Sequence, residues 1–176
     1  MIVVFNKPFN VLCQFTDKEG RKTLSDFIPI KNVYAAGRLD YDSEGLVVLT
    51  DDGKLQNEIS DPKHKLVKAY FVQVENVPND EALNRLCKGV LLKDGLTKPA
   101  EAKLIEKPKI WERIPPIRER KNIPTSWIEL KIAEGKNRQV RRMTAAIGYP
   151  TLRLIRYSIN EWNIGKLKSG EYKIIK

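Results

Sequence analysis

Histidine and cysteine are nearly absent from this chain. Its 176 residues hold one His, His64, and two Cys, Cys13 and Cys87. A single His excludes a multi-histidine metal centre and the usual Ser-His-Asp chemistry. Two thiols cannot build a disulfide framework and, with one His, do not suit a zinc site. Cys87 falls within a helical pattern and reads as a small core residue; His64 reads as a surface residue in a basic loop. No apolar run approaches the roughly 20 residues that a membrane helix needs. The opening Met1-Ile2-Val3-Val4-Phe5-Asn6-Lys7 places its charge after a short apolar run, the reverse of a secretory signal, so a cytoplasmic protein is expected. Internal repeats and low-complexity segments are lacking too. Catalysis without metal or histidine would fall to carboxylates, Tyr, Lys, Arg, Ser or Thr.

Positive charge is plentiful. Lys plus Arg is 32 and Asp plus Glu is 22, a formal net charge of +10, while 41% hydrophobic residues suffice for a core. The charge is clustered. Lys107–Asn122 carries six cations (Lys107, Lys109, Arg113, Arg118, Arg120, Lys121) against Glu112 and Glu119, and Lys136–Arg142 carries four cations and no acid. Asp40–Asp52 carries five acids and no cation. Clustering of this kind points to a polyanionic partner, nucleic acid in the first place, rather than to solubility alone.

Strands and helices mix without regular βαβ alternation, which predicts an α+β fold built on a large mixed or mostly antiparallel sheet flanked by helices. Residues 1–5 read as a buried opening strand, turned by Asn6-Lys7-Pro8. A short helix is expected over Thr23–Ile28. The apolar, β-branched run Gly45–Thr50 predicts a strand buried on both faces. Asp51-Asp52-Gly53 is a turn, followed by a helix over about 54–60 that Asp61-Pro62 ends. Leu66–Val74 alternates, with Lys68, Tyr70, Val72 and Val74 on one face. Asn79 caps a helix that Gly89 ends. Four prolines and many cations make 107–126 a surface loop. Trp127–Ala133 alternates with Ile128, Leu130 and Ile132 inward. A helix begins at Lys136 or Asn137 with Val140, Met143 and Ile147 as its apolar stripe, and Thr151–Tyr157 is a last strand. The expected organisation is one domain over 1–176 in two lobes, a smaller one over 1–62 whose first strand can join the main sheet, and a main one over 63–176, with an active-site cleft between them.

Three elements can carry chemistry. Gly37-Arg38-Leu39-Asp40 enters the buried strand, and an acid held at the mouth of a core strand is a candidate nucleophile or base. The residues alone do not separate Asp40 from Asp42 or Glu44, nor any of them from a turn with solvated acids. Lys68 and Tyr70 share a strand face with Val72; they fit either a site or an edge strand. Arg138, Arg141 and Arg142 lie off the apolar stripe of the last helix, and periodicity does not say whether Arg141 or Arg142 turns inward.

Together these segments resemble the RNA pseudouridine synthases, in the rRNA branch typified by RsuA. The resemblance rests on Gly37-Arg38-Leu39-Asp40-Tyr41-Asp42-Ser43-Glu44-Gly45-Leu46 with Leu49-Thr50-Asp51-Asp52-Gly53, on Asn6-Lys7-Pro8, on Lys68-Ala69-Tyr70, and on Glu134-Gly135-Lys136-Asn137-Arg138-Gln139-Val140-Arg141-Arg142-Met143. The four motifs stand in family order over essentially the whole chain. The chain opens at the catalytic strand, so no S4 RNA-binding domain is expected ahead of it. This feature, with Gln14–Asp17, Gly20–Thr23 and Pro115–Trp127, is similar to a subfamily acting on 23S ribosomal RNA.

The resemblance implies isomerisation of a uridine to pseudouridine, with no cofactor and no metal. It makes Asp40 the essential carboxylate, attacking C1′ or removing a sugar proton. It makes Arg141 the arginine that keeps Asp40 ionised, and it has Tyr70 stack on the uracil, Leu154 wall the pocket and Arg38 fill the gap left by the extruded base. Lys68, Lys136, Arg138, Arg142, Arg118, Arg120 and Lys121 are then substrate-binding candidates, and Lys107–Asn122 a clamp on the RNA. The implied partner is a stem or stem-loop of large-subunit rRNA, bound by a monomer, with no membrane involved. The alternatives are a synthase for another RNA, a non-catalytic rRNA-binding assembly protein, and a glycosidase-like enzyme, which the lack of a second acid on a separate element disfavours.

Overall fold

The computed structural model describes residues 1–118 and 120–175. It divides into two compact units: Met1–Leu66 together with the residues from Ile155 onward, and Val67–Leu154.

In the first unit, β1 (Ile2–Lys7) runs antiparallel to β3 (Glu44–Thr50), with Ile2 opposite Thr50 and Lys7 opposite Gly45. Between them, β2 (Tyr34–Ala36) returns along the other edge of β3, pairing only Val48–Thr50. Every residue of β3 is buried, as its unbroken apolar run predicts. Thr23 caps a 3-10 turn at Leu24–Asp26 through a capping box, a shorter element than the helix expected over 23–28. Asp52 caps α1 (Gly53–Ser60), its carboxylate accepting from the Lys54 and Leu55 amides. Val3, Phe5, Leu24, Val33, Leu39, Val47 and Leu49 form the core, with Phe5 and Phe27 rings 5.6 Å apart.

In the second unit, β4 (Lys68–Glu75), α2 (Asp80–Lys88), the hairpin of β5 (Leu91–Leu92) and β6 (Gly95–Leu96), β7 (Glu101–Ile105) and β8 (Thr125–Ile132) follow in order. Strand β8 lies antiparallel between β4 and β7. Asn79 caps α2 by accepting from the Ala82 amide, and Gly89 closes it. Tyr70, Val72 and Val74 of β4 face Leu86 of α2, Ile128 and Leu130 of β8, and Val140 and Met143 of α3 (Gln139–Ala146) in one core. At α2's packed face Cys87 is half-buried, its thiol near the Ala102 carbonyl at 3.7 Å. No strand or helix forms over 107–118 or 120–124, which leaves that stretch a loop as its prolines predict. Glu119, one of its two acids, lies outside the described residues.

Two expectations need correction. Helix α3 begins at Gln139, not at Lys136 or Asn137. Arg138 takes a left-handed φ of 51°, and the Gln139 side chain accepts from the Lys136 amide, so residues 136–138 are spent on the turn. The lobes 1–62 and 63–176 are not the units found. Strand β9 (Thr151–Ile159) carries the chain out of the second unit, and its later residues pair in parallel with Glu44 and Gly45 of β3. Short β10 (Trp162–Asn163) turns back on β9, and β11 (Tyr172–Ile174) completes the first unit by pairing with Val3–Phe5. Ile155, Arg156 and Tyr172–Ile174 therefore extend the N-terminal sheet. Each unit's sheet fits the mixed, mostly antiparallel α+β class. Among the described residues no helix is long and apolar enough to cross a membrane.

Candidate active site and nucleic-acid interface

The acidic loop Gly37–Ser43 is fixed at both ends and in the middle. Arg156 of β9, only 3% exposed, donates from Nη2 to the Gly37 carbonyl (2.9 Å) and from Nε and Nη2 to the Leu46 carbonyl (3.1 and 2.9 Å). Strand pairing explains the position of this arginine. On that edge of β3, β9 takes Glu44 and Gly45 and β2 takes Val48 onward, so the carbonyl of Leu46 falls in the gap between two strands. A buried carbonyl needs a donor, and the guanidinium supplies it. Gly45 is required where β9 passes. Its φ is +110°, and a Cβ there would stand 2.1 Å from the Arg156 carbonyl oxygen.

Leu39 is buried in the core, which pins the middle of the loop, while Asp40 is half-buried and Arg38 exposed. The Ser43 amide donates to the Asp40 carbonyl (3.1 Å), closing a tight turn. The Tyr41 carbonyl accepts from the Asn10 amide (2.9 Å) and from Lys7 Nζ (3.4 Å). Lys7 is fully buried, and its ammonium also donates to the carbonyls of Pro8 and Val11, each at 2.8 Å. Burial pushes the Lys7 ammonium down to about 8, against the pull of Cys13, Glu44, Asp42 and Asp40 toward the charged form. Arg38 donates to the Gln14 side-chain oxygen (3.0 Å). Asp40 thus sits at the open turn of a loop whose backbone is held by two buried cations.

In the second unit, Tyr70 and Leu154 are nearly buried in the core, at 8% and 5% exposure, and Lys68 is half-buried. Lys68 Nζ donates to the Glu134 carbonyl (3.1 Å), and it lies 2.8 Å from where a Cβ on Gly135 would be, so a larger residue there would displace the lysine tip. The Glu134 carboxylate accepts from the Lys98 amide (3.0 Å) and from Gln139 Nε2 (2.7 Å). The segment from Glu134 to Gln139 is therefore a hydrogen-bonded entry to α3, with Lys136 half-buried and Arg138 exposed beside it. Arg141 and Arg142 are both half-buried on α3. Arg142 forms a bidentate pair with Asp94 (2.7 and 3.2 Å) and donates to the Asn137 carbonyl. This pair holds the Asp94 carboxyl below its ordinary value and raises Arg142.

The basic loop shows its cations to solvent. Lys107, Lys109, Arg118, Arg120 and Lys121 are exposed, Arg120 within 3.6 Å of Glu75 and Lys107 within 3.7 Å of Glu112. Arg113 turns inward and donates to the carbonyls of Pro115 (2.8 Å) and Pro116 (3.2 Å). Arg153 of β9 donates to the Trp111 carbonyl (2.9 Å) with its guanidinium 5.8 Å from that indole ring.

The sequence reading placed Asp40 in a core-entering loop and Tyr70 on the Val72 face, and the structure has them there. It assigned no part to Lys7 or Arg156, the two cations that hold the Asp40 loop. Their signal is a lone cation closing or interrupting an apolar strand: Lys7 after Ile2–Phe5, and Arg156 after Leu154-Ile155. A long cation there either reaches water or is satisfied inside.

One unit holds a carboxylate on a braced loop, and the other holds a tyrosine–lysine strand face and two basic segments; such features fit an enzyme that acts on RNA. The chain belongs to the RNA pseudouridylate synthase family, with residues 1–146 matching that family. It is 58% identical over 174 residues to ribosomal large subunit pseudouridine synthase E of Vibrio parahaemolyticus, covering 99% of this chain and 73% of that protein. It is 51% identical over 177 residues to the synthase E of Xanthomonas campestris pv. campestris, covering 99% and 95%. A pseudouridylate synthase crystal structure superposes with a TM-score of 0.81 at 30% identity, over 98% of this chain and 68% of that one.

Proposed function

We propose that this chain isomerises a uridine of large-subunit (23S) ribosomal RNA to pseudouridine, with residues 1–176 as one catalytic domain. The observation that carries this reading is the 58% identity to a ribosomal large subunit pseudouridine synthase E across nearly the whole chain. The C1′–N1 bond breaks, the uracil turns, and a C1′–C5 bond forms; N1 gains a proton and the C5 proton is released. The Asp40 carboxylate acts at the sugar, as nucleophile at C1′ or as base. Tyr70, Leu154, Arg141 and Arg38 take the roles that the motifs imply for them.

The target must leave its stack for a carboxylate to reach the sugar, at a cost of a few kcal/mol. Phosphate contacts from Lys107–Asn122 and from Lys136 and Arg138 offset that cost. Arg118 and Lys121 support this part of the reading by their exposure, whereas Arg142 and Lys68 are engaged by Asp94 and the Glu134 carbonyl. The enzyme acts in the cytoplasm as a monomer on a stem or stem-loop.

Tritium release from 5-tritiated uridine in large-subunit rRNA transcript tests the reading, with wild type and Asp40→Asn side by side. Asp40-dependent release is expected. Release from tRNA or small-subunit transcript alone would move the substrate, and tight binding without release from any RNA would leave a binding protein.

A further inference from the structure

The second unit has a cavity of about 280 Å³ that no residue of the four family motifs lines. Its floor is the reverse face of the sheet. Strand β4 turns Tyr70, Val72 and Val74 toward the helices, and Gln73, between them, points the other way. Trp127, paired directly with Gln73, and Arg153, next to Leu154, line the same cavity from β8 and β9. Its roof is the basic loop, through Lys107, Arg113 and the Pro116-Ile117 stretch.

We propose that this cavity is a second RNA subsite, which takes one nucleotide of the substrate other than the target uridine. Its chemistry has the three parts a nucleotide needs. Three cations (Lys107, Arg113, Arg153) against one acid (Glu112) favour a phosphate. Trp127 and Ile117 offer apolar surface to a flat base, and base–aromatic contact tolerates any sequence. Gln73 offers an amide, and its Nε2 donates to Thr125 Oγ1 (3.2 Å), which fixes the amide plane against a base edge. Arg113 and Arg153 hold the roof in place through the carbonyls of Pro115, Pro116 and Trp111, so the cavity is preformed. The exposed cations Lys109, Arg118 and Lys121 belong to the same loop and supply phosphate contacts leading to it. The volume is of the order of a single mononucleotide.

This inference rests on the proposed RNA substrate, and its test separates the two. The Trp127 indole N–H signal of the ¹⁵N-labelled full chain, assigned with a Trp127→Phe variant, is followed during titration with AMP, CMP, GMP, UMP and, separately, inorganic phosphate. At least one nucleotide is expected to shift it saturably in the millimolar range, with phosphate alone unable to reproduce the shift. In tritium-release kinetics, Gln73→Met is expected to raise KM for the rRNA transcript about threefold to tenfold, the loss of one hydrogen bond, with kcat within about a factor of two. Lys107→Ala, at an exposed position, moves KM the same way without disturbing the sheet. Silence of the indole to all four nucleotides overturns the subsite, as does an equal response to phosphate, which makes it an anion site. A nucleotide response with unchanged KM in both variants overturns the assignment to the RNA. Failure of wild type to release tritium falls on the proposed function, while the titration still decides whether the cavity takes a nucleotide.

Discussion

The loops 37–43 and 107–122 are both irregular, and they use charge in opposite ways. In 37–43 the acids lie on the loop and the cations lie beneath it: Lys7 and Arg156 are buried, and both bond to backbone carbonyls. In 107–122 most cations point to solvent, while Arg113 folds back to brace its own loop. A buried cation satisfied by carbonyls makes a loop rigid, because leaving those carbonyls unmet is costly. An exposed cation on a loop without regular structure costs little and can meet a phosphate wherever it comes. The first arrangement suits chemistry at one atom, the second suits contact along a polyanion.

The sharpest break of this comparison is at the carboxylate proposed to react. Asp40→Ala is expected to lower tritium release by about a thousandfold or more, since it removes the carboxylate that we propose acts at the sugar. Filter binding of the same transcript is expected to stay within about threefold of wild type, because the exposed cations are untouched. Loss of binding in parallel with activity would mean that the acidic loop is part of the RNA grip.

Next in size is the brace. Arg156→Met leaves the carbonyls of Gly37 and Leu46 without that guanidinium, at about 1–3 kcal/mol for each unmet carbonyl. Thermal unfolding measures that loss. At a temperature where the variant is folded, kcat is expected to fall more than tenfold with KM nearly unchanged, because Asp40 is displaced while the RNA surface is intact. Arg156→Lys, which can still reach one carbonyl, restores part of kcat. A variant that is destabilised yet turns over at the wild-type rate would make Arg156 structural only.

Much of this was legible in the chain. The unbroken run Gly45–Thr50 shows a doubly buried strand, Asn79 shows a helix cap, Asp51-Asp52-Gly53 shows the turn ahead of α1, and the alternation of Leu66–Val74 puts Tyr70 on the face of Val72 and Val74. Those signals are local, set by a few neighbouring residues. What was not legible is long-range. Nothing in Tyr172–Ile174 says that it pairs with Val3–Phe5, so the residues after Ile155 were expected in the wrong lobe. The start of α3 was misplaced because a left-handed Arg138 breaks the usual preference for Gly or Asn at positive φ. Lys7 read as part of a turn because a buried ammonium depends on the carbonyls of Val11 and Tyr41, which only the fold brings to it.

Lys7 gives the comparison a pH readout. Its folded value of about 8 lies below the ordinary 10.5, so between these values the unfolded chain holds more protons than the folded one. Stability from this group therefore rises with pH across about 8 to 10.5, by up to about 3 kcal/mol, and is flat below 8. Denaturant unfolding at pH 7.5 and pH 10 is expected to show this gain in wild type relative to Lys7→Met, which has no group to deprotonate. Equal pH slopes in the two proteins would place the Lys7 ammonium in contact with water.

The smallest effect is expected where a charge pair is exposed, at Arg142 and Asp94. Their geometry is bidentate, yet water screens both groups, and such pairs contribute little to folding. The Asp94 carboxyl is held below its usual value, so whatever it adds is present above the ordinary carboxylate range and is lost as the pH falls through its lowered value. Asp94→Asn is expected to lower Tm at pH 7 by no more than about 2 °C and to leave Tm at pH 2.5 closer to wild type. The same change releases Arg142 from its acid, and this sets the pair apart from the buried braces. If α3 contributes to the RNA surface, Asp94→Asn tightens transcript binding and steepens its salt dependence, by about 0.7 to 0.9 in the slope of log K against log salt for one added phosphate contact. An unchanged slope would assign Arg142 to the fold alone and leave Arg138 and Lys136 as the cations of that segment that meet RNA.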